Sequence, residues 1–325
     1  MHLLNSILTF LMIFGFAVNL ATSAELEDVF TIVRDGPGAC SEKEADNINL
    51  YHMDVVSMLE AGLELFRDVL GRGILEDNGD LRLRQMGARL MFESWFGIQF
   101  TDRYKGRWEN IYQVPVDPNS FLFIHGKYRQ LSPNILSAAL NLVSYNKPLK
   151  HLNGVKPKIY CNDEWMSYAT NTNFDSATRG CGNPRLLGFT GWRLSAITLC
   201  AQSFYVLPCS NLRRGDPPGP TDPMNAPEDH YSGSMLFLHE ILHLVLGPDD
   251  RRGRQVELYT SGDCRLAVLQ QITPILFEAK RNPQSYVWFM QGAYFAQQAR
   301  STSGIYYEYS TGRPRYITVV SSDGV

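Results

Sequence analysis

Residues 232–250, SGSMLFLHEILHLVLGPDD, constrain the fold more than any other stretch of the chain. Inside them HEILH sets His239, Glu240 and His243 at fixed spacing. Residues four apart on a helix share a face, so both imidazoles can converge on one point. Two neutral imidazoles so placed form a usual zinc pair, and the glutamate between them is the general base toward a metal-activated water. The flanking MLFL and LVL are apolar almost all round, which predicts a helix buried on every side. A buried His-Glu-His trio is costly without partners, and a divalent ion supplies them. Asp229, Ser232 or Ser234 is placed to cap the start, and Gly247-Pro248 stops the helix.

The 325 residues suffice for one large domain or two modest ones. A net charge of −3 argues against nucleic-acid or anionic-membrane partners. Residues 3–18 form an apolar run and residues 22–24 are small, so residues 1–24 read as a signal peptide cut ahead of Glu25. The run falls short of the roughly 20 residues a bilayer span needs. The expectation is a secreted, extracellular protein with no membrane attachment after signal removal. Six cysteines follow the signal, an even count that suits disulfides. Cys161 with Cys181 is plausible across the intervening loop, and Cys209 with Cys264 could staple the HEILH segment. Cys40 and Cys200 are then left over. No C-x-x-C occurs, which disfavours a cysteine metal site. No N-x-S/T occurs either, so no N-glycan is expected.

Residues 25–150 read as mostly helical, a pro-region or an accessory layer. Leu50, Met53, Val56, Leu59, Leu63, Phe66 and Leu70 recur at helical spacing, and a second helix follows around Leu83, Met86 and Leu90. A short strand fits residues 121–124, and Ser132-Pro133 opens a further helix. Residues 151–325 read as the catalytic unit. Strands fit 156–162 and 195–204, the latter as the edge that would hold an extended substrate. Residues 168–183 and 211–228 are loop-like. The cluster Arg251, Arg252 and Arg254 reads as a solvated loop. Helices are expected at about 264–280 and 283–299, and a hairpin around Thr311-Gly312. The architecture is α+β, a mixed sheet with the HEILH helix behind it and extra helices N-terminal to both.

Catalytic zinc usually takes three protein ligands. HEILH supplies two, and Asp249 and Asp250 follow the turn at Gly247. The HEILH helix with Gly247-Pro248-Asp249-Asp250 resembles the deuterolysin-like metalloendopeptidases, the aspzincins. That family follows its H-E-x-x-H helix with G-T-x-D-x-x-Y-G, whose aspartate binds zinc. Gly247 matches the first glycine, Asp250 the ligand and Gly253 the last glycine. Residues 156–299 resemble the family's strand, loop and later helices. Pro248 stands at the threonine and Arg252 at the tyrosine. An alternative alignment anchored on Tyr259 and Cys264 puts Val256 at the ligand position with Glu257 beside it. Asp250 is therefore the first third-ligand candidate, Glu257 the second and Asp249 the third. A metzincin-like H-E-x-x-H-x-x-G pattern ranks behind, since Leu246 occupies its glycine.

The resemblance implies a zincin-like fold and a secreted zinc endopeptidase acting on a protein or peptide substrate. One zinc ion would be held by His239, His243 and Asp250. Glu240 would serve as general base, and Tyr259 is the candidate for steadying the oxyanion. The alternative is a secreted, non-catalytic binding protein on a degenerate metalloprotease scaffold. Oligomeric state is left open.

Overall fold

The HEILH helix spans Gly233–Leu246, and helices and sheet cover it on several sides. Ser232 caps it, accepting the Met235 N–H at 3.2 Å. Gly247 ends it with φ at 67°, where its N–H donates to the His243 carbonyl at 3.1 Å. Every residue from 233 to 242 is buried, as is Leu244, as the apolar flanks predict.

In the computed structural model, residues 24–70, 79–96, 133–147, 149, 152–166, 180–205, 232–247, 257–270, 279–303 and 306–317 are described. In chain order they form α1 (Leu26–Val29), β1 (Thr31–Ile32), α2 (Glu42–Leu70), α3 (Gly79–Phe96) and α4 (Pro133–Tyr145). β2 (Lys158–Tyr160), β3 (Gly188–Gly191), β4 (Ala196–Leu199), α5 (Gly233–Leu246), α6 (Ser261–Leu269) and α7 (Pro283–Ser303) follow. β5 (Tyr307–Glu308) and β6 (Arg315–Tyr316) form the expected antiparallel hairpin, with Gly312 at positive φ in its turn. The apolar N-terminal run, the strand at 121–124, Ser132, Asp229 and the arginine cluster lie outside the described residues, as does most of both expected loops.

The class is α+β. One four-stranded mixed sheet has the order β1-β2-β4-β3, parallel except for β3, which runs antiparallel to β4. α5 packs against β3 and β4 on one side and against α2, α4 and α7 elsewhere. Among the described residues an apolar cluster joins N-terminal and C-terminal elements, from Phe30 and Ile48 to Phe237 and Phe289. Among the described residues no helix is long and apolar enough to cross a membrane.

α2 begins before the amphipathic run. The Ser41 hydroxyl and backbone N–H both donate to the Glu44 carboxylate at 2.8 Å, and the Glu44 N–H donates back at 3.4 Å. This reciprocal capping box starts the helix at Glu42. Its buried surface overlaps the predicted stripe only in part. Val56 and Leu59 are buried as expected, but Leu50 and Met53 are exposed, and Ile48, Tyr51, His52, Val55 and Met58 are buried as well. The reason is that α2 is covered by α3, α4, α5 and α7 together, so polar His52 and Asp54 also face inward. His52 settles by hydrogen-bonding the Val143 carbonyl at 2.9 Å, and Asp54 accepts the Ser234 hydroxyl at 2.7 Å. Tyr51 lies so close to α5 that a Cβ on residue 233 would stand 2.3 Å from its Cζ; only glycine fits there.

Three further expectations are corrected. The stretch 195–204 divides into β4 and a short 3-10 turn, Ala201–Tyr205. β4 is interior and wholly buried, so it is not an edge; β3 is the edge beside α5. The helix expected at 264–280 ends at Leu269, and Ala279–Arg281 is 3-10. Cysteine pairing follows the sheet rather than loop closure. Cys161 N–H donates to the Gly38 carbonyl and Cys40 N–H to the Val33 carbonyl, which brings Cys40 and Cys161 to a Cα separation of 4.9 Å and a disulfide. Cys181 bonds Cys200. Cys264 is a buried free thiol, and Cys209 lies outside the described residues.

Candidate metal centre

α5 presents His239 and His243 on one face, one turn apart, with Nε2 atoms 3.1 Å from each other. Glu257, on the short segment ahead of α6, brings Oε1 to 3.0 Å from His239 Nε2 and 3.2 Å from His243 Nε2. Three basic atoms therefore form a nearly equilateral triangle. Lone pairs so close repel unless a proton or a cation lies among them. Tetrahedral zinc with bonds of about 2.0–2.1 Å separates its ligand atoms by about 3.3 Å, close to the edges observed. Glu257 Oε1 is buried and faces the two imidazole nitrogens, so its lone pairs point to the same spot as theirs. Among the described residues this is the one group of His, Cys, Asp and Glu side chains gathered as a metal site.

The imidazole of His239 is fixed from behind. Its Nδ1 lies 2.8 Å from Gln284 Oε1, a carboxamide oxygen that can only accept. The proton therefore sits on Nδ1 and the Nε2 lone pair faces the triangle, the arrangement metal-binding histidines adopt. Gln284 comes from the first turn of α7, and both it and His239 are buried. His243 is more open, with 35 % of its side chain exposed, so solvent reaches the cluster from that side.

Glu240 is 3 % exposed, and its carboxylate accepts the Thr190 hydroxyl at 2.8 Å. The same hydroxyl stands 2.9 Å from the Glu240 carbonyl. Thr190 belongs to the edge strand β3, so the sheet edge and the acid are tied together. The Glu240 charge is felt at both His243 and Tyr259. Tyr259 donates its hydroxyl to Glu257 Oε2 at 3.0 Å, and its ring stacks on His239 with centroids 5.8 Å apart. It is 58 % exposed. Partial burial of the hydroxyl against the site, then the Glu257 charge, pushes it well above the ordinary phenol value.

The structure thus joins His239, Glu240, His243, Glu257 and Tyr259. Of the third-ligand candidates, Glu257 is in place; Asp250 and Asp249 lie outside the described residues. The sequence does not mark Gln284 or Thr190 as site residues. A glutamine on an apolar helix and a threonine in GFTG carry no spacing signal that marks them.

Burial alone would lower His243, but Glu257 against it and Glu240 nearby outweigh burial and raise it above the ordinary imidazole value. Burial would raise Glu257, yet the two imidazoles hold it far below the carboxylate range. In metal-free protein the raised His243 contributes stability that is complete below its ordinary pKa of 6.5 and is lost as pH rises through its folded value. The depressed Glu257 contributes stability present above its ordinary 4.5 and lost as pH falls through its folded value. The two overlap between pH 4.5 and 6.5. Chelator-treated protein is expected to lose most stability from Glu257→Gln in that window, as read by thermal melts across pH. A difference that grows steadily above pH 8 would contradict this pairing.

Comparison with family models, curated proteins and solved structures finds no match to this chain.

Proposed function

We propose that the chain is a secreted zinc-dependent endopeptidase whose third metal ligand is Glu257, a glutamate where the aspzincins it resembles use an aspartate. The triangle formed by His239 Nε2, His243 Nε2 and Glu257 Oε1 carries the reading. Two nitrogens and one carboxylate oxygen suit zinc, and three protein ligands leave the open position that catalytic sites keep. The α+β arrangement, with the HEILH helix packed on a mixed sheet, agrees with a zincin-like fold. Two disulfides agree with an oxidising, extracellular destination.

Bound zinc supplies Lewis acidity, lowering the pKa of a water and polarising the scissile carbonyl. The remaining work falls to the chain. Glu240, adjacent in sequence to a ligand, takes a proton as the water oxygen bonds to the carbonyl carbon. It returns that proton to the nitrogen as the C–N bond breaks, giving a carboxylic acid and an amine. Thr190 holds the Glu240 carboxylate in place through its hydroxyl. Because Thr190 lies on the edge strand β3, a peptide laid along that edge would run past the same acid. Tyr259 is half-exposed beside the centre and can turn its hydroxyl from Glu257 to the developing oxyanion.

Casein digestion tests this directly. Purified protein is expected to cleave casein, to stop after treatment with a strong chelator and to recover on addition of zinc. Zinc bound without digestion would favour the binding-protein alternative, and digestion unaffected by the chelator would exclude a metal mechanism.

A further inference from the structure

We propose that Asn282 is a positioning residue that delivers Glu257 to the metal centre. This rests on reading residues 239, 243 and 257 as that centre. Glu257 and the two residues after it belong to no helix or strand, so neighbouring side chains must place them. Asn282 Oδ1 accepts the Leu258 N–H at 3.3 Å, and its Nδ2 donates to the Leu258 carbonyl at 3.1 Å. One carboxamide thus pairs both ways with residue 258, as a neighbouring strand would.

The orientation is informative. Asn282 stands directly before Pro283, the first residue of α7. An asparagine there ordinarily turns its oxygen back onto its own helix's N–H groups. Here the oxygen faces Leu258, while Nδ2 also lies 3.0 Å from Ser285 Oγ and 3.3 Å from Cys264 Sγ. Asn282 is 4 % exposed, so water does not readily replace these bonds. Two other groups hold the same short segment. The Cys264 thiol donates to the Leu258 carbonyl at 3.4 Å, and Trp288 Nε1 donates to the Tyr259 carbonyl at 3.1 Å. Gln284, two residues after Asn282, orients His239. The start of α7 therefore sets two of the three ligands, one through its imidazole and one through its backbone.

The test is a double-mutant cycle on zinc affinity, measured by competition with a chromophoric chelator in wild type, Asn282→Ala, Glu257→Ala and the double variant. Cobalt(II) spectra report the ligand set, and melts of chelator-treated protein report folding. Asn282→Ala is expected to weaken zinc about 10–100-fold and to alter the cobalt bands. In the Glu257→Ala background the same substitution should change affinity less than about twofold. An effect of equal size in both backgrounds, or none in either, would overturn the role of Asn282 while leaving the centre intact. Wild type that takes up neither zinc nor cobalt would overturn the centre and this inference together. If Asn282→Ala does not fold, Asn282→Asp carries the same cycle, since it keeps Oδ1 and volume but loses both Nδ2 donors; the same outcomes then decide.

Discussion

Glu240→Gln is expected to lower casein hydrolysis by about 10³-fold, near the middle of the range that loss of a general base costs. That is about 4 kcal/mol of transition-state stabilisation. Zinc content and melting temperature should stay near wild type. Glutamine keeps the length and shape of the side chain, and its carboxamide oxygen can still accept the Thr190 hydroxyl at the edge of β3. What it lacks is a basic oxygen to receive a proton. If activity persists within tenfold of wild type, another group is the base. If zinc is lost as well, Glu240 belongs to the ligand set rather than to the chemistry.

Glu257→Ala carries the second large effect. It removes one corner of the triangle and leaves two imidazoles on α5 without a carboxylate. Zinc affinity should fall by more than the roughly 100-fold that loss of an orienting neighbour costs, and activity should fall with it. Asp250→Ala is the informative partner. If Glu257 completes the set, that variant should bind zinc within about threefold of wild type, as a substitution that leaves the ligands untouched does. Both variants can be measured by the same chelator competition. A strong loss in Asp250→Ala with little change in Glu257→Ala would return the third ligand to the turn after Gly247.

The comparison of these two acids shows what the sequence could and could not carry. HEILH encodes its own geometry, because a helix fixes the relation of residues four apart, and the apolar flanks announce the burial seen along α5. Ser232, Gly247 and the Thr311-Gly312 hairpin are equally local, and each is where chain chemistry places it. Glu257 is not local. Its distance from His243 along the chain says nothing about its distance in space, which Asn282 and Trp288 settle through bonds to residues 258 and 259. Cysteine pairing fails for the same reason. The parallel pairing of β1 with β2 brings Cys40 to Cys161 across most of the N-terminal half, where loop closure suggests Cys181. β3 escapes notice because GFTG holds two glycines and little strand propensity, although its place at the sheet edge makes it important to the site. The face of α2 is legible only in part, at Val56 and Leu59, because a helix covered on several sides has no single apolar stripe to read.

The proposed activity requires one metal ion held by His239, His243 and Glu257. Anomalous X-ray scattering at the zinc edge, from crystals of protein grown without chelator, locates that ion. One peak is expected, bonded to His239 Nε2, His243 Nε2 and Glu257 Oε1, each at about 2.0–2.2 Å. Absence of a peak there, or a peak that takes its third ligand from another residue, would contradict that ligand set.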